Sequence, residues 1–167
     1  MALNAYLRLI GQASGEIKGS VTQKGRENRI LVIAVSHEVT SPRDSASGQA
    51  TGRRQHKPLV ITKELDRASA PLHQAQARNE EFKDWELQFW APSLRAATGT
   101  GAEVQHFTVK LTNASIASIK MQMLNTQDPA LTRFETFEEV AFTYQKIEWK
   151  WTDGNLIAVD DWVGQEA

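Results

Sequence analysis

A period of two in the apolar residues runs through most of the 167-residue chain and constrains its fold more than any other feature. In FKDWELQFW, for example, Trp85, Leu87 and Phe89 alternate with polar residues. Successive side chains of a strand point to opposite faces, so this period predicts half-buried β-strands. Only residues 66–81 carry a convincing helical pattern. About eight or nine strands with one helix, and no alternating βαβ order, indicate an antiparallel barrel or a two-sheet sandwich.

The predicted fold class is therefore mainly β: an antiparallel β-barrel of two sheets with one short α-helix and a long extended loop. Further strands are predicted at MALNAYLRLIGQ, GEIKGSV, LVITKEL, VQHFTVKL and ASIASIKMQML, and a flexible loop at residues 92–103. The near-continuous apolar run of residues 28–39 predicts a strand that is buried on both faces. In the helix, Ser69 is expected to cap the first turn, and Leu72, Ala75 and Arg78 to share one face.

The alternation changes phase within residues 138–155, EEVAFTYQKIEWKWTDGN. One apolar triplet sits at even positions and the next at odd positions: Val140, Phe142, Tyr144, then Ile147, Trp149, Trp151. A β-bulge near Gln145 and Lys146 would return the second triplet to the core face. Alternatively, one triplet fills the barrel and the other packs beneath the helix or against a neighbouring protomer. Because exposed tryptophans form a sticky patch, we favour an assembly role, with Trp149 and Trp151 as possible interface aromatics.

A change of composition marks residues 40–58, TSPRDSASGQATGRRQHKP, which we call the long loop. It has no apolar side chain larger than alanine outside its two prolines, and it holds the most basic cluster of the chain, GRRQHK. Loops of this length are usually functional or disordered. Basic tracts with nearby tryptophans also suggest an alternative function, a nucleic-acid-binding β-barrel that uses this cluster together with Trp149 and Trp151.

The bulk properties bound the remaining possibilities. The length suits a single domain spanning residues 1–167, and the net charge of −1 gives no global attraction for nucleic acid or anionic membranes. Cysteine is absent, and the four histidines show no metal-binding spacing. No glycine-rich segment completes a phosphate loop, and the N-terminus lacks the pattern of a signal peptide. We therefore expect no enzyme activity, no catalytic residue, no metal, no cofactor and no membrane insertion.

An ordered series of motifs resembles the Hcp family, the haemolysin co-regulated proteins. The series begins with IKGSV, GRE, VSHEV, SPRD and SGQATGRRQHKPLVITKELDRASAPL. It continues with FTVKLTNASI, QDP, EEVAFTYQKIEWKW and DGN, so that the resemblance covers nearly the whole chain.

The resemblance implies a structural subunit of the inner tube of the bacterial type VI secretion system. It implies a homohexameric ring, rings stacked into a hollow tube, and effector proteins carried in the lumen. It also implies partnership with the tip spike protein and the contractile sheath, and secretion from the bacterial cytoplasm without a signal peptide. The long loop is then expected to contact the next subunit or ring through Arg43, Asp44, Gln49, Thr51, Arg53, Arg54, His56 and Lys57.

Overall fold

The structure is a computed structural model, and it describes residues 3–92 and 103–161. Within these ranges the chain forms thirteen strands and one helix. In chain order they are β1 (Asn4–Gly11), β2 (Gly15–Ile17), β3 (Ile30–Val32), β4 (Ala34–Ser36), β5 (Val39–Thr40), β6 (Gln55–His56), β7 (Leu59–Glu64), α1 (Ser69–Ala77), β8 (Glu81–Pro92), β9 (Glu103–Thr112), β10 (Ala114–Gln122), β11 (Phe137–Thr143), β12 (Lys146–Trp151) and β13 (Leu156–Asp161).

Eleven of these strands form one curled antiparallel sheet, and β5 and β6 form a small second sheet. The main sheet runs in the order β13-β12-β9-β8-β10-β11-β7-β4, while β1 pairs with β8, β2 and β3. The prediction of a mainly β, antiparallel barrel-like fold with one short helix is confirmed. The predicted loop at residues 92–103 lies almost entirely outside the described residues.

The phase change within residues 138–155 is a break between two strands. β11 pairs with β10 and β7, whereas β12 pairs with β9 and β13, so neither strand continues the other. At the break, the backbone N–H of Gln145 donates to the carbonyl oxygen of Thr112 at the end of β9. The chain therefore crosses from one part of the curled sheet to another. Val140, Phe142, Tyr144 and Ile147 lie in one core and Trp149 packs against it, whereas Trp151 is exposed. The bulge that the sequence suggested is not needed.

The predicted strand at residues 28–39 is wrong in two respects. The segment breaks into β3, β4 and β5, which pair with β1, β7 and β6 respectively. It is also not buried on both faces, because Leu31 and Ile33 are exposed while Ile30 and Val32 are buried. The segment therefore pairs in turn with different strands, and its β-branched residues are not buried on both faces of the sheet.

The helix is shorter than the predicted residues 66–81. Leu72 and Ala75 are buried as expected, but Arg78 is exposed at the C-cap. Ser69 does not cap the first turn, since the N-cap residue is Ala68 and makes no side-chain capping bond. Instead, the Ser69 hydroxyl accepts the backbone N–H of Asp66 and donates to Glu138, so that it ties the start of the helix to β11.

Candidate interaction surfaces

The long loop is an ordered arm that projects from the sheet. At its base, Val39 and Thr40 pair with His56 and Gln55. Farther out, Arg43 and Ala50 form an isolated antiparallel bridge. The tip is closed by Asp44, whose carboxylate accepts the N–H groups of Ala46 and Ser47 and the Ser47 hydroxyl. These bonds hold the pKa of Asp44 below its ordinary value. Almost every side chain between Ser41 and Arg53 is exposed, so the arm has a polar surface and no hydrophobic core of its own.

The eight loop residues singled out from the sequence fall into two groups. Arg54, His56 and Lys57 lie at the base and bind within the same chain, the first two to Asp160 and Lys57 to Glu38. The others lie on the projecting part, where the backbone of Gln49 and Thr51 completes the turn: Arg43, Asp44, Gln49, Thr51 and Arg53. The base is therefore anchored to the barrel, and the projecting part is exposed to solvent.

This anchoring weakens the nucleic-acid alternative. Arg54 and Lys57 are engaged in ion pairs with carboxylates, and Trp149 packs against the core instead of presenting a free ring. A stacking platform needs an accessible aromatic face beside uncompensated positive charge. Trp151 is 46% exposed, and its ring lies beside His106 and Phe107 on β9.

The base of the long loop meets the barrel in a group of five side chains, which we call the seam cluster: His37, Arg54, His56, Tyr144 and Asp160. The Tyr144 hydroxyl lies 2.6 Å from Nε2 of His37 and 2.8 Å from Nδ1 of His56. Nε2 of His56 lies 2.8 Å from Oδ2 of Asp160, and Arg54 grips both oxygens of the same carboxylate through Nε and Nη2.

The seam cluster joins elements that the backbone leaves apart. His37 follows β4, one end of the main sheet, whereas Asp160 belongs to β13 at the other end. Among the described strands, no backbone ladder connects β4 with β12 or β13. Side-chain hydrogen bonds therefore close the gap, with the imidazole of His56 almost fully buried between the two ends.

The electrostatics of the seam cluster follow from burial and from the Arg54–Asp160 pair. Hydrogen bonds from Arg54, and then from His56, hold the pKa of Asp160 below its ordinary value despite its partial burial. Burial, with a smaller contribution from the Asp160 charge, raises the pKa of the Tyr144 phenol. Burial, and then the proximity of His56, lowers the pKa of His37. At neutral pH the cluster thus holds one carboxylate, one guanidinium and a protonated phenol.

A second surface is the C-terminal hairpin, which we define as β12 and β13 with the turn at residues 152–155. Gly154 and Asn155 adopt positive φ in this turn, a conformation that glycine and asparagine tolerate well. Ile147 is fully buried, Trp149 is partly buried against the core, and Trp151 is 46% exposed. Burial therefore decreases along β12 toward the turn, so that the tip of the hairpin leaves the core.

The outer strand of the hairpin is apolar and exposed on both faces. Leu156, Ile157 and Val159 are 67%, 52% and 50% exposed. Leu156 lies opposite Trp151 on one face, while Ile157 and Val159 lie opposite Lys150 and Glu148 on the other. In the described chain β13 pairs only with β12, so its outer edge also presents unpaired backbone groups.

A third surface is a shallow cavity of about 370 Å³ on a different part of the molecule. Its lining includes three exposed apolar side chains from β3, the β3–β4 junction and the end of β7, namely Leu31, Ile33 and Leu65. Glu64 and Asp66 form an acidic rim. This surface and the C-terminal hairpin share no residue.

Sequence reasoning missed the seam cluster and the exposed strand β13. The alternation predicts Tyr144 only as one of three apolar residues, and nothing in the sequence connects it with Asp160. The partners of Tyr144 lie 88 and 107 positions away, and no spacing rule connects them. The one available signal was the hydroxyl itself, because a buried tyrosine usually requires a hydrogen-bond partner.

Other classes of site have no support in the described residues. They contain no group of three or more His, Asp or Glu side chains placed to hold a metal ion. No helix within them has the length and apolar character needed to cross a membrane.

Comparison with known proteins decides the family. The family model described as "Type VI secretion system effector, Hcp" matches residues 6–151. A relative from Pseudomonas aeruginosa named "Major exported protein" is 37% identical over 171 aligned positions, which cover 97% of this chain and 96% of the relative. The chain belongs to the Hcp family.

Solved structures of Hcp proteins share the fold over almost the full length. One Hcp crystal structure superposes with a TM-score of 0.86 at 28% identity, covering 99% of this chain and all of the other. Hcp1 from Escherichia coli EAEC 042 gives a TM-score of 0.82 at 32% identity, covering 96% and 99% of the two chains. The secreted protein Hcp3 from P. aeruginosa gives 0.77 at 30% identity, with the same coverage. The family assignment thus rests on sequence and fold together.

Proposed function

We propose that this Hcp-family chain is a structural subunit of the type VI secretion tube, forming six-membered rings that stack around a hollow lumen. The observation that carries the proposal is β13, an edge strand with exposed apolar residues on both faces. In an isolated soluble protomer such an edge would promote strand pairing and aggregation. In a ring, the neighbouring subunit covers the edge, so its apolar residues are buried in the assembly.

The distribution of the surfaces supports a ring. Closed rings use heterologous contacts, in which two different surfaces of each copy meet. The C-terminal hairpin is one such surface, and the cavity lined by Leu31, Ile33 and Leu65 is a different apolar surface on other elements. Packing one against the other in neighbouring copies repeats a single rotation, and six repeats close the ring that the family assignment suggests.

The long loop supports stacking. Its base is fixed to the barrel by the seam cluster, while its projecting part carries exposed Arg43 and Arg53. Charged groups at a polar contact set register and orientation more than affinity. We therefore assign the projecting part to contacts between successive rings or neighbouring subunits, and we assign no catalytic step to the chain.

Export and cargo complete the proposal. One relative is named "Major exported protein" and another a secreted protein, which supports delivery of this chain outside the cell. We propose that it leaves the cytoplasm within the secretion machine, that effector proteins travel in its lumen, and that the spike and the sheath are its neighbours.

The native mass of the purified full-length chain tests the ring directly. Light scattering coupled to size exclusion, at about micromolar concentration, is expected to give six times the 18.7 kDa of one chain. Negative-stain images of the same fractions should show rings with a central hole. A monomer across the concentration range, with no rings on the grid, contradicts the proposal.

A further inference from the structure

One phenol oxygen in the seam cluster is shared by two imidazole rings. The Tyr144 hydroxyl is within hydrogen-bond distance of Nε2 of His37 and Nδ1 of His56, and the two ring centroids lie 6.5 Å apart. The far nitrogen of His56 faces the carboxylate of Asp160. The four groups form a chain of three hydrogen bonds that runs from β4 to β13.

The number of protons shared by these four side chains determines whether all three hydrogen bonds can form. A hydroxyl donates one proton and accepts others, while a neutral imidazole donates from one nitrogen and accepts at the other. With both rings neutral, Nε2 of His56 donates to Asp160, Nδ1 accepts the Tyr144 proton, and His37 donates to the phenol oxygen. With one extra proton, either ring becomes a double donor and the phenol donates to the other. Both states satisfy all three bonds.

A second extra proton breaks the arrangement. If both rings are charged, His37 and His56 each direct an N–H at the same oxygen, and the Tyr144 proton no longer has an imidazole acceptor. Two positive rings then face each other in a partly buried site, and only one of them contacts the Asp160 carboxylate. Like charges at this separation repel, and burial strengthens the repulsion.

The cluster is also what holds the long loop to the barrel. His56 is one of the two residues of β6, and it pairs with Val39 in the short ladder at the base of the loop. Besides this ladder, the N–H of Lys57 donates to the carbonyl of Glu38. The β4–β7 ladder ends at the Ser36–Val60 pair, and the ladder of two residue pairs beyond it is marginal alone, so the side chains of the seam cluster contribute to anchoring the loop base.

We propose that the seam cluster is a proton-operated latch: it holds the base of the long loop while His37 and His56 share at most one extra proton, and it releases the loop when both are charged. The latch is a property of the single chain. Its consequence for ring stacking rests on the proposed function, because released loops no longer present Arg43 and Arg53 in a fixed position.

The charged groups around the two histidines agree with this direction. The Asp160 carboxylate faces His56 and pairs with Arg54, and the exposed Lys57–Glu38 pair flanks the base of the loop. Burial and the nearby His56 lower the pKa of His37 below its ordinary 6.5. A lowered folded-state pKa means that the unlatched loop binds this proton more readily. The latch therefore weakens as the pH falls below about 6.5 and is intact above it.

Hydrogen exchange of the loop base tests the latch on the full-length protein. Peptides covering residues 37–58 are followed by mass spectrometry at about pH 7.5 and pH 5, as protection factors corrected for intrinsic exchange. We expect protection to fall by about tenfold or more at the lower pH. Protection of β8, inside the main sheet, should change far less. The native mass is recorded at both pH values, so that loss of the latch and loss of the ring are separate readouts.

Three variants make the result specific. His37→Gln removes one of the two titrating rings and should keep the loop base protected at the lower pH. Tyr144→Phe removes the shared oxygen and should give the same low protection at both pH values, so that it differs from the wild type mainly at about pH 7.5. His73→Gln, a histidine control on α1, removes a half-exposed ring that lies 3.6 Å from Glu138 and outside the seam cluster, so the pH dependence at the loop base should match the wild type. Equal protection of the wild type at both pH values overturns the latch. So does a loss in His37→Gln that matches the wild type, or a loss in β8 that matches the loss in the loop.

Discussion

At the scale of single residues, the contacts with the largest desolvation cost are those of a fully buried lysine, Lys63. Nζ of Lys63 on β7 lies 2.6 Å from Oε1 of Glu138 and 2.9 Å from Oδ1 of Asp66, and both Lys63 and Glu138 are fully buried. The same ammonium also donates to the backbone oxygen of Glu64 and to the Ser69 hydroxyl. These bonds compensate the desolvation of the charges and fasten the start of α1 to β7 and β11.

Removing the lysine should therefore destabilise the fold strongly. Lys63→Met leaves the Glu138 carboxylate buried without its cation, and we expect a loss of about 3–5 kcal/mol in urea unfolding. The double variant Lys63→Met with Glu138→Leu should recover most of this loss, because the fully buried carboxylate is removed together with its cation and the remaining Asp66 carboxylate keeps some contact with solvent. Lys110→Met removes a half-exposed lysine from its contact with Glu86 and should cost less than about 1 kcal/mol. Similar losses in the two single variants would contradict the buried-pair argument.

A second residue-scale contact sets a pH dependence. Oε1 of Glu80 accepts the N–H groups of Ala13 and Ser14, and Oε2 accepts the Ser14 hydroxyl. Burial raises the pKa of this carboxyl, but the bonds from Ser14 and Ala13 outweigh burial and leave it below 4.5. Gly11 permits the contact, since a Cβ there would lie 2.2 Å from Oε1.

Because the folded-state pKa is lowered, the stabilisation by Glu80 is present above about pH 4.5 and disappears as the pH falls through the folded-state value. Glu80→Gln should cost about 1 kcal/mol near neutral pH. The urea midpoints of the wild type and the variant should converge in acid, whereas the exposed control Glu16→Gln should match the wild type near neutral pH. A constant gap between wild type and variant at every pH would contradict the assignment.

These contacts mark the limit of sequence reasoning at this scale. In LVITKEL, the alternation that places Leu59 and Ile61 in the core continues to Lys63, and a charged residue at the third inward position gives no sign of its burial. The reason for its burial is Glu138, which lies directly opposite on β11, 75 residues later. A period of two predicts the face of the sheet to which a side chain points, but it does not predict which distant residue will pair with that side chain.

At the scale of elements, the strands that the sequence located best are those with clear alternation and a turn signal at their end. β9 and β10, two of the strands predicted from alternation, meet at Asn113, whose positive φ makes the turn between them. The strand breaks that the sequence did not locate fall where an apolar run changes partners, in residues 28–39 and within residues 138–155. A strand break leaves the same apolar pattern as a bulge, and the difference is set by which neighbours are available in the folded sheet.

The long loop gives the element-scale prediction. Deleting residues 45–51 removes the tip but keeps the ladder between β5 and β6 and the whole seam cluster. Far-ultraviolet circular dichroism and the unfolding midpoint should stay close to the wild type, because the deleted segment contributes nothing to the core. Ring stacking, measured as tube length or as sedimentation of stacked rings, should decrease. Parallel loss of fold and stacking would show that the tip has a structural role.

A matched variant separates the tip from the base. Arg54→Ala keeps the length of the loop but removes the grip on both oxygens of Asp160. It should raise hydrogen exchange at residues 37–58 at neutral pH, whereas the tip deletion should not raise exchange at the remaining base residues. If both variants change exchange equally, the division of the loop into an anchored base and a projecting tip is wrong.

At the scale of the whole molecule, composition and period were sufficient to predict an antiparallel, mainly β fold, because few other architectures bury so many alternating strands. They did not predict which strands would form the two edges of the curled sheet. That outcome depends on strand order, with β13 at one end and β4 at the other, and strand order is set by contacts between distant segments. The surface proposed for assembly is one of those edges.

The whole-molecule prediction concerns that edge. Ile157→Lys places a charge on the exposed outer face of β13, where it disturbs no core contact, so the unfolding midpoint should change little. In the proposed ring, however, the charge is buried against a neighbour, and we expect the ring to dissociate at concentrations at least about tenfold higher than for the wild type. Met121→Lys makes the same chemical change at a more exposed apolar residue on β10 and should leave the native mass unaltered. Equal native masses for the two variants, whether both assembled or both dissociated, would contradict the assignment of the C-terminal hairpin to the interface.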